Sequence, residues 1–201
     1  MRKPGVIILI LLLGFPVLLA ADDPQIEPEW DDYSYDIYVR GDQFFSISLG
    51  TIFPTIFVNE GELLDMNFSP PVGGMGTLMY NYFLSSKFFA GGEISGAFIN
   101  TLRKNSLFLV TLGIRTGVQF VAGRFEFPIT LSLGMCWHTY LDFGYYGFYL
   151  KGGVGAFFRI TSEWSFGLTA DWGWYPQWTE NKSRNVDGNF VNVMLSARYH
   201  F

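Results

Sequence analysis

Residues 189–201, NFVNVMLSARYHF, contain the pattern that decides the fold. One face of this segment is apolar and consists of Val191, Val193, Leu195, Ala197, Tyr199 and Phe201. The other face is mixed and consists of Asn192, Met194, Ser196, Arg198 and His200. Because successive side chains of a β-strand point to opposite faces, this strict alternation predicts a strand with one apolar side.

The same alternation recurs along most of the chain. It defines eight segments, at about 43–57, 72–84, 88–102, 106–121, 125–141, 146–160, 164–178 and 189–201. Three connections are short polar turns, namely Ser85–Lys87, Ala122–Arg124 and Thr161–Glu163. Between them lie Asn59–Pro71, Arg103–Asn105, Phe143–Tyr145 and Thr179–Gly188, of which the first and last are longer. Short and longer connections in alternation predict an all-β fold, an eight-stranded antiparallel up-and-down transmembrane β-barrel.

The mixed faces decide which side of the barrel faces outward. A soluble barrel would turn its apolar faces inward and would need many charges on its outer wall. Aromatic residues make up 19% of this chain and charged residues only 15%. The mixed faces are rich in Gly and Ser, so they suit a narrow lumen. We therefore expect the apolar faces to contact lipid, although a soluble barrel has the same alternation.

Aromatic residues are also predicted to form a band at each membrane interface. One band lies near the tight turns and comprises Phe83, Phe88, Phe120, Phe125, Phe158 and Phe166. The other lies near the longer connections and comprises Trp137, Tyr140, Tyr146, Phe148, Trp172, Trp174 and Trp178.

The N-terminal region predicts export. Residues 1–21 combine Arg2 and Lys3 with an apolar run over 6–19 and the small pair Ala20-Ala21, which is typical of a cleavable signal peptide; a retained anchor is the alternative. Residues 22–42 hold eight acidic residues and one basic residue, and we interpret them as an acidic periplasmic tail. Residues 43–201, the barrel domain, hold ten of each, so no nucleic acid is expected as a partner.

Seven charged residues are predicted to form a charge network in the lumen: Glu93, Arg115, Glu126, Lys151, Arg159, Asp171 and Arg198. Glu93 is expected beside Arg115, and Lys151 beside Asp171. An eight-stranded barrel has room for little more than its own side chains, and buried charges must be paired or hydrated. We therefore interpret the network as a structural plug, with a conduction path as the alternative. Pro128 falls inside a strand, where it predicts a bulge or frayed pairing.

Catalytic, metal and cofactor sites are not expected. Cys136 is the only cysteine and shows no metal-binding pattern. Acyl transfer needs a nucleophile placed by a base, and His138 and His200 are the only histidines. A lipid-modifying enzyme would require His138 beside a hydroxyl on the lipid-facing wall. The sequence therefore favours a protein that is not an enzyme and that has no cofactor.

The C-terminal residues Tyr199-His200-Phe201 complete a resemblance to a known family. With the export signal and residues 43–201, the chain resembles the small outer-membrane barrels of the OmpX, OmpW and OmpA-transmembrane-domain type. The resemblance implies location in the cell outer membrane and periplasmic termini. It also implies that Tyr199 and Phe201 form the signal read by the barrel-assembly machinery.

Three functions remain open at this stage. The first is a structural or surface-interaction role of adhesin-like type, with a plugged lumen and a possible surface ligand at residues 59–71 and 179–188. The second, implied by the resemblance to OmpW, is a narrow channel for small apolar molecules, for which Phe44, Met79, Phe83 and Met194 would line an apolar lane. The third is a lipid A-modifying enzyme. Outer-membrane lipid is the expected surrounding in each case.

Overall fold

The computed structural model describes residues 38–59, 62–63, 68–101, 106–140, 143–177 and 185–201. The strands in these ranges are β1 (Gln43–Asn59), β2 (Glu62–Leu63), β3 (Phe68–Phe83), β4 (Phe88–Thr101), β5 (Ser106–Ala122), β6 (Phe125–Tyr140), β7 (Phe143–Arg159), β8 (Trp164–Gln177) and β9 (Val186–His200). The strand β2 is a two-residue extension that pairs only with the end of β1. The predicted signal peptide and most of the predicted acidic tail lie outside the described residues.

The eight long strands close into a barrel. Each pairs antiparallel with the next along the chain, and β1 also pairs with β9. Starting from Phe44 and following the paired residues once around the barrel leads to Pro54 on the same strand, ten residues further along. This stagger tilts the strands against the barrel axis. The predicted eight-stranded up-and-down barrel is confirmed.

The three tight turns and both ends of the barrel domain lie on the same side, which we call the turn end. Gly123 has a φ of +58°, a backbone conformation that glycine adopts without strain. The other two turns are closed by hydroxyls: Ser85 Oγ accepts from the Phe88 amide at 3.1 Å, and Thr161 Oγ1 accepts from the Trp164 amide at 3.0 Å. The opposite side, where the other connections lie, is the loop end.

The apolar faces of the strands form the outer wall. On β9, Leu195 is 70% exposed, whereas its neighbours Met194 and Ser196 are buried. The same holds around the barrel, where exposed Leu, Ile, Val and aromatic side chains alternate with buried polar ones. Within the described residues, no helix has both the length and the apolar character needed to cross a membrane.

Several sequence expectations need correction. Phe143–Tyr145 is not a connection, because β7 begins at Phe143. Both long connections are shorter than predicted: β3 begins at Phe68, and β9 begins at Val186. Strand pairing extends beyond the point where the alternation becomes irregular. The sequence pattern therefore placed the starts of β3, β7 and β9 several residues too late.

Two further details concern single side chains. Phe83 is fully buried, so it belongs to the lumen and not to the aromatic band of the outer wall.

Pro128 pairs with Gln119 on β5, but on the β7 side the pairing is interrupted between Glu126 and Ile129. The register is the same on both sides of this interruption, so Pro128 frays the pairing, as a residue without an amide proton would, and makes no bulge.

Candidate functional site in the barrel lumen

The middle of the lumen contains an ion cluster around Glu93, which we call the Glu93 cluster. Glu93 Oε2 lies 3.1 Å from Arg115 Nη1, and Glu93 Oε1 lies 2.6 Å from Lys151 Nζ. Ser132 Oγ donates to Oε2 at 3.0 Å, and the Tyr149 hydroxyl donates to Oε1 at 2.9 Å. All five side chains are buried. A buried carboxylate with two cations and two hydroxyl donors meets the condition for keeping charge inside a protein.

The strand register brings these residues together. Arg115 pairs with Ser132 across β5 and β6, and Ser132 pairs with Lys151 across β6 and β7, so three neighbouring strands present them at one level. Glu93 reaches them from β4. A Cβ atom at Gly113 would lie 2.4 Å from the Tyr149 hydroxyl oxygen. The absence of a side chain at Gly113 therefore makes room for the tyrosine that bonds to Glu93.

Asp171 faces the lumen. The sequence placed it beside Lys151, but the two residues do not form an ion pair. Lys151 pairs with Glu93 instead. Neither carboxylate oxygen of Asp171 has a hydrogen-bond partner among the described residues. Its Oδ1 atom lies against the backbone of Gly153, only 1.8 Å from the place that a Cβ atom there would occupy.

A second ion cluster, the Glu126 cluster, lies at the turn end. Arg159 Nε is 2.8 Å from Glu126 Oε1, and Arg198 Nη1 is 3.5 Å from Glu126 Oε2. Arg198 Nη1 also donates to Gln119 Oε1 at 3.2 Å. Its guanidinium lies 3.4 Å from the ring centre of Phe157, a cation–π contact. This cluster is therefore in contact with an aromatic ring, whereas the Glu93 cluster is completed by hydroxyl groups.

Tyr38, which precedes the first strand, closes the turn end. It is 3% exposed, and its ring stacks on Phe83 with ring centres 4.0 Å apart. Arg159 Nη2 donates to the Tyr38 hydroxyl oxygen at 2.7 Å. Burial raises the pKa of Tyr38 well above its ordinary value, so its hydroxyl stays protonated. With Phe44 and Phe89, these rings form an aromatic plug.

The loop end of the lumen is closed by an apolar cap. The buried side chains of the cap belong to all eight long strands: Ile52, Phe57, Met75, Ala97, Ile99, Leu109, Cys136, Tyr149, Tyr175, Phe190 and Met194. The rings of Tyr149 and Tyr175 stack with centres 5.8 Å apart, and Phe190 meets Tyr175 edge-on at 5.3 Å. The cap therefore lies directly above the Glu93 cluster.

All seven charged residues of the predicted network face the lumen, but they form two clusters and one separate acid. Participants that the sequence did not indicate include Tyr38, Gln119, Ser132 and Tyr149. Alternation over residues 33–39 was a sign of a further strand-like segment, and Tyr38 belongs to it. The sequence placed Glu93 beside Arg115, with which it pairs, but it gave no sign of the pairing with Lys151, which comes from a strand that is not a neighbour of β4.

The histidines and the C-terminal residues lie as follows. His138 belongs to the inner face of β6 and stands 5.1 Å from the Tyr145 ring, so it does not meet the condition set for the enzyme hypothesis. His200 is buried beside Ser165. Tyr199 and Phe201 lie on the outer wall, with ring centres 5.9 Å apart. Within the described ranges, no group of three or more His, Cys, Asp or Glu residues could hold a metal ion.

Comparison with known proteins supports this architecture. A protein-family model matches residues 22–199. Among solved structures, Neisserial surface protein A has a TM-score of 0.61 at 7% identity and covers 80% of this chain and 97% of its own. The outer membrane protein OprG from Pseudomonas aeruginosa has a TM-score of 0.50 at 11% identity, with coverage of 82% and 97%. At these identities the likeness shows the fold, and the resemblance to small outer-membrane barrels is confirmed at that level.

Two relatives are similar in sequence, and both are uncharacterized proteins of Treponema pallidum (strain Nichols). One is 25% identical over 129 residues, which is 64% of this chain and 59% of the relative. The other is 24% identical over 98 residues, which is 45% of this chain and 34% of the relative. The matched segments therefore span less than two thirds of either relative.

Proposed function

Because this chain belongs to the family whose model matches residues 22–199, and because its fold is that of the small outer-membrane barrels, we propose that it is an outer-membrane protein with a sealed lumen. Its role is structural or interactive, of adhesin-like type, and is exercised at the loop end. The regions that would meet a surface ligand are residues 59–71 and 179–188.

One observation supports the proposal: buried side chains occupy the lumen at three successive levels. The aromatic plug with the Glu126 cluster fills the turn end, the Glu93 cluster fills the middle, and the apolar cap fills the loop end. Each level joins side chains from several strands. An ion would have to displace paired charges at two levels and apolar side chains at the third, so conduction is not favoured.

Three features support the outer-membrane location. The outer wall is apolar on every long strand, as expected where lipid is the solvent. Residues 1–21 have the pattern of a cleavable signal peptide, and the family match begins directly after them. Tyr199 and Phe201 end the closing strand with the pattern that, in the resembling family, is read by the barrel-assembly machinery.

An epitope-insertion experiment tests location and orientation together. One variant carries the epitope in the loop, between Asn181 and Lys182, and its matched control carries it in the tight turn, at Ser162. We expect antibody to stain intact cells that express the first variant and to stain the second only after permeabilisation. Staining of Ser162 on intact cells would reverse the orientation, and staining of neither without lysis would contradict the surface role.

A second candidate function is passage of small apolar molecules, which one feature of the outer wall favours. A groove of about 450 Å³ lies between β6, β7 and β8, and Ile129, Val154 and Trp172 line it. It borders the place where Pro128 interrupts the pairing of β6 with β7. Uptake of a fluorescent apolar probe into liposomes that contain the barrel separates the two candidates, because only a channel speeds it.

A further inference from the structure

One side of the lumen carries polar side chains without ion pairs. These side chains come from β8, β9, β1 and β3, and we call them the polar lane: Ser46, Ser48, Asn81, Thr169, Asp171, Asn192 and Ser196. Each is buried, with at most 4% of its surface exposed. The lane is continuous in register, since Asp171 pairs with Asn192 and Ser48 pairs with Ser196. The Glu93 cluster lies on the other side, on β4 to β7.

The middle of the lane is satisfied within the protein, and its two ends are not. Ser48 Oγ and Ser196 Oγ lie 2.6 Å apart, and Thr169 Oγ1 lies 3.3 Å from Ser196 Oγ. Asp171 and Asn192 lie at the end of the lane nearer the loop end of the barrel. None of their side-chain nitrogen or oxygen atoms has a hydrogen-bond partner among the described residues. The same is true of Ser46 and Asn81, which lie at the end of the lane nearer the turn end of the barrel.

Buried polar groups in native proteins are almost always hydrogen-bonded, because a buried group that has lost its contact with water and has no partner destabilises the fold. Two amides, a carboxylate and a hydroxyl within one lane would together be a heavy cost. The occupant must therefore both donate and accept hydrogen bonds, since the amides offer both and the carboxylate only accepts. Water does both, and buried water typically makes two to four hydrogen bonds to polar groups that lack other partners.

Charge decides against a metal cation as the occupant. In the middle of the lumen, the two carboxylates Glu93 and Asp171 balance the two cations Arg115 and Lys151. A cation bound at Asp171 would leave an unbalanced positive charge in a buried place, which is costly. A neutral occupant leaves the balance unchanged.

We infer that the polar lane is a built hydration site, in which bound water molecules bridge Asp171 to Asn192 and Ser46 to Asn81. The lumen is then sealed to ions yet hydrated along one side. Ion pairs join the strands on the side of the Glu93 cluster, and water-mediated hydrogen bonds join them on the side of the polar lane. This inference does not rest on the function proposed above, because a channel and a sealed barrel would both need their buried amides satisfied.

Side-chain amides provide the test, because the lumen contains three that are equally buried but differently bonded. Asn81 and Asn192 are 0% exposed and lack protein partners, whereas Gln119 is 1% exposed and its Nε2 donates to Phe120 O. The experiment transfers magnetisation from water to side-chain amides by solid-state NMR of the barrel in lipid bilayers. The Asp171→Asn variant adds a fourth amide inside the lane.

We expect signals from Asn81, Asn192 and the new amide at position 171 at the shortest mixing times, with Gln119 appearing only later. Absence of early transfer at Asn81 and Asn192 would overturn the proposal, because the lane would be dry. Equal early transfer to Gln119 would also overturn it, because the whole lumen would then be wet. A shift of the Asn192 amide on titration with sodium or calcium salts, with chloride as the common anion, would identify a cation as the occupant and exclude water.

Discussion

The two ion clusters of the lumen share one plan and differ in what surrounds it. In each, a single glutamate lies between two cations, with Glu93 between Arg115 and Lys151 and Glu126 between two arginines. Hydroxyl groups complete the bonding of Glu93. Around Glu126, aromatic rings cover the arginines, and Arg159 keeps 14% of its side chain exposed.

This difference shows that buried side chains fill the lumen in two distinct ways. The Glu93 cluster is formed by strand residues alone, so closing the sheet is enough to build it. The plug at the turn end also needs Tyr38, which belongs to no strand. We therefore expect substitutions in the middle of the lumen to affect the stability of the whole barrel and substitutions at the turn end to act more locally.

The largest effect is expected from Glu93→Gln. The change removes the carboxylate with which both Arg115 and Lys151 form ion pairs, and breaking a buried ion pair in this way typically costs about 3–5 kcal/mol. Unfolding by guanidinium chloride in lipid vesicles, followed by tryptophan fluorescence, measures the loss. A loss below about 1 kcal/mol would show that the cluster is hydrated and not held by its ion pairs.

A smaller effect is expected from Glu126→Gln, with a loss of about 2 kcal/mol, the range of hydrogen bonds to charged groups. Arg198 keeps its bond to Gln119 and its contact with Phe157, and Arg159 can reach solvent. The same unfolding experiment applies. If this variant is destabilised more than Glu93→Gln, the contrast between the two clusters is wrong.

A third substitution, Tyr38→Phe, removes only the hydroxyl that accepts from Arg159 and keeps the ring on Phe83. We expect a loss of about 1 kcal/mol, typical of one hydrogen bond. Tyr146→Phe on the outer wall is the control, because its ring is 72% exposed. Equal effects of the two variants would mean that Tyr38 does not help to close the barrel.

The smallest effect is expected from Asp171→Asn. No hydrogen bond or ion pair to a described residue is lost, and Arg115 and Lys151, which share the positive charge left unbalanced, both keep their ion pairs with Glu93. The unfolding free energy should therefore change by less than about 1 kcal/mol. The comparison with Glu93→Gln is direct, because both changes neutralise one buried carboxylate. A loss as large as that of Glu93→Gln would show that Lys151 is shared between the two acids.

Much of the fold could be predicted from alternation alone. On β9, the inner and outer faces are those that the sequence indicated, because a barrel with an apolar outer wall leaves no freedom in strand register. Strand ends were harder: at Phe143–Tyr145 the alternation weakens although the backbone stays paired. The sequence also could not predict which way Phe83 points, because an aromatic side chain near a turn can face either the lumen or the lipid.

The site could be predicted as a set of residues, and the ion pair between Glu93 and Arg115 on adjacent strands could be predicted as well, but contacts across the lumen could not. Alternation assigns Glu93, Lys151 and Asp171 to the lumen, and it gives no distance across the lumen. The sequence favoured Lys151 with Asp171 because their strands are neighbours, whereas the structure joins Lys151 to Glu93 from β4. Tyr38 lies before the first strand, and the alternation over residues 33–39 did not indicate that its ring turns into the barrel.

Single-channel recording tests the central claim, that the lumen is sealed, most directly. The barrel is refolded, its folded state is checked as a heat-modifiable band on gels, and it is inserted into planar bilayers beside the Arg115→Ala variant. The sealed lumen predicts no discrete current steps from the unchanged protein. Discrete steps whose size changes in Arg115→Ala would contradict it, because the Glu93 cluster would then line a conducting path.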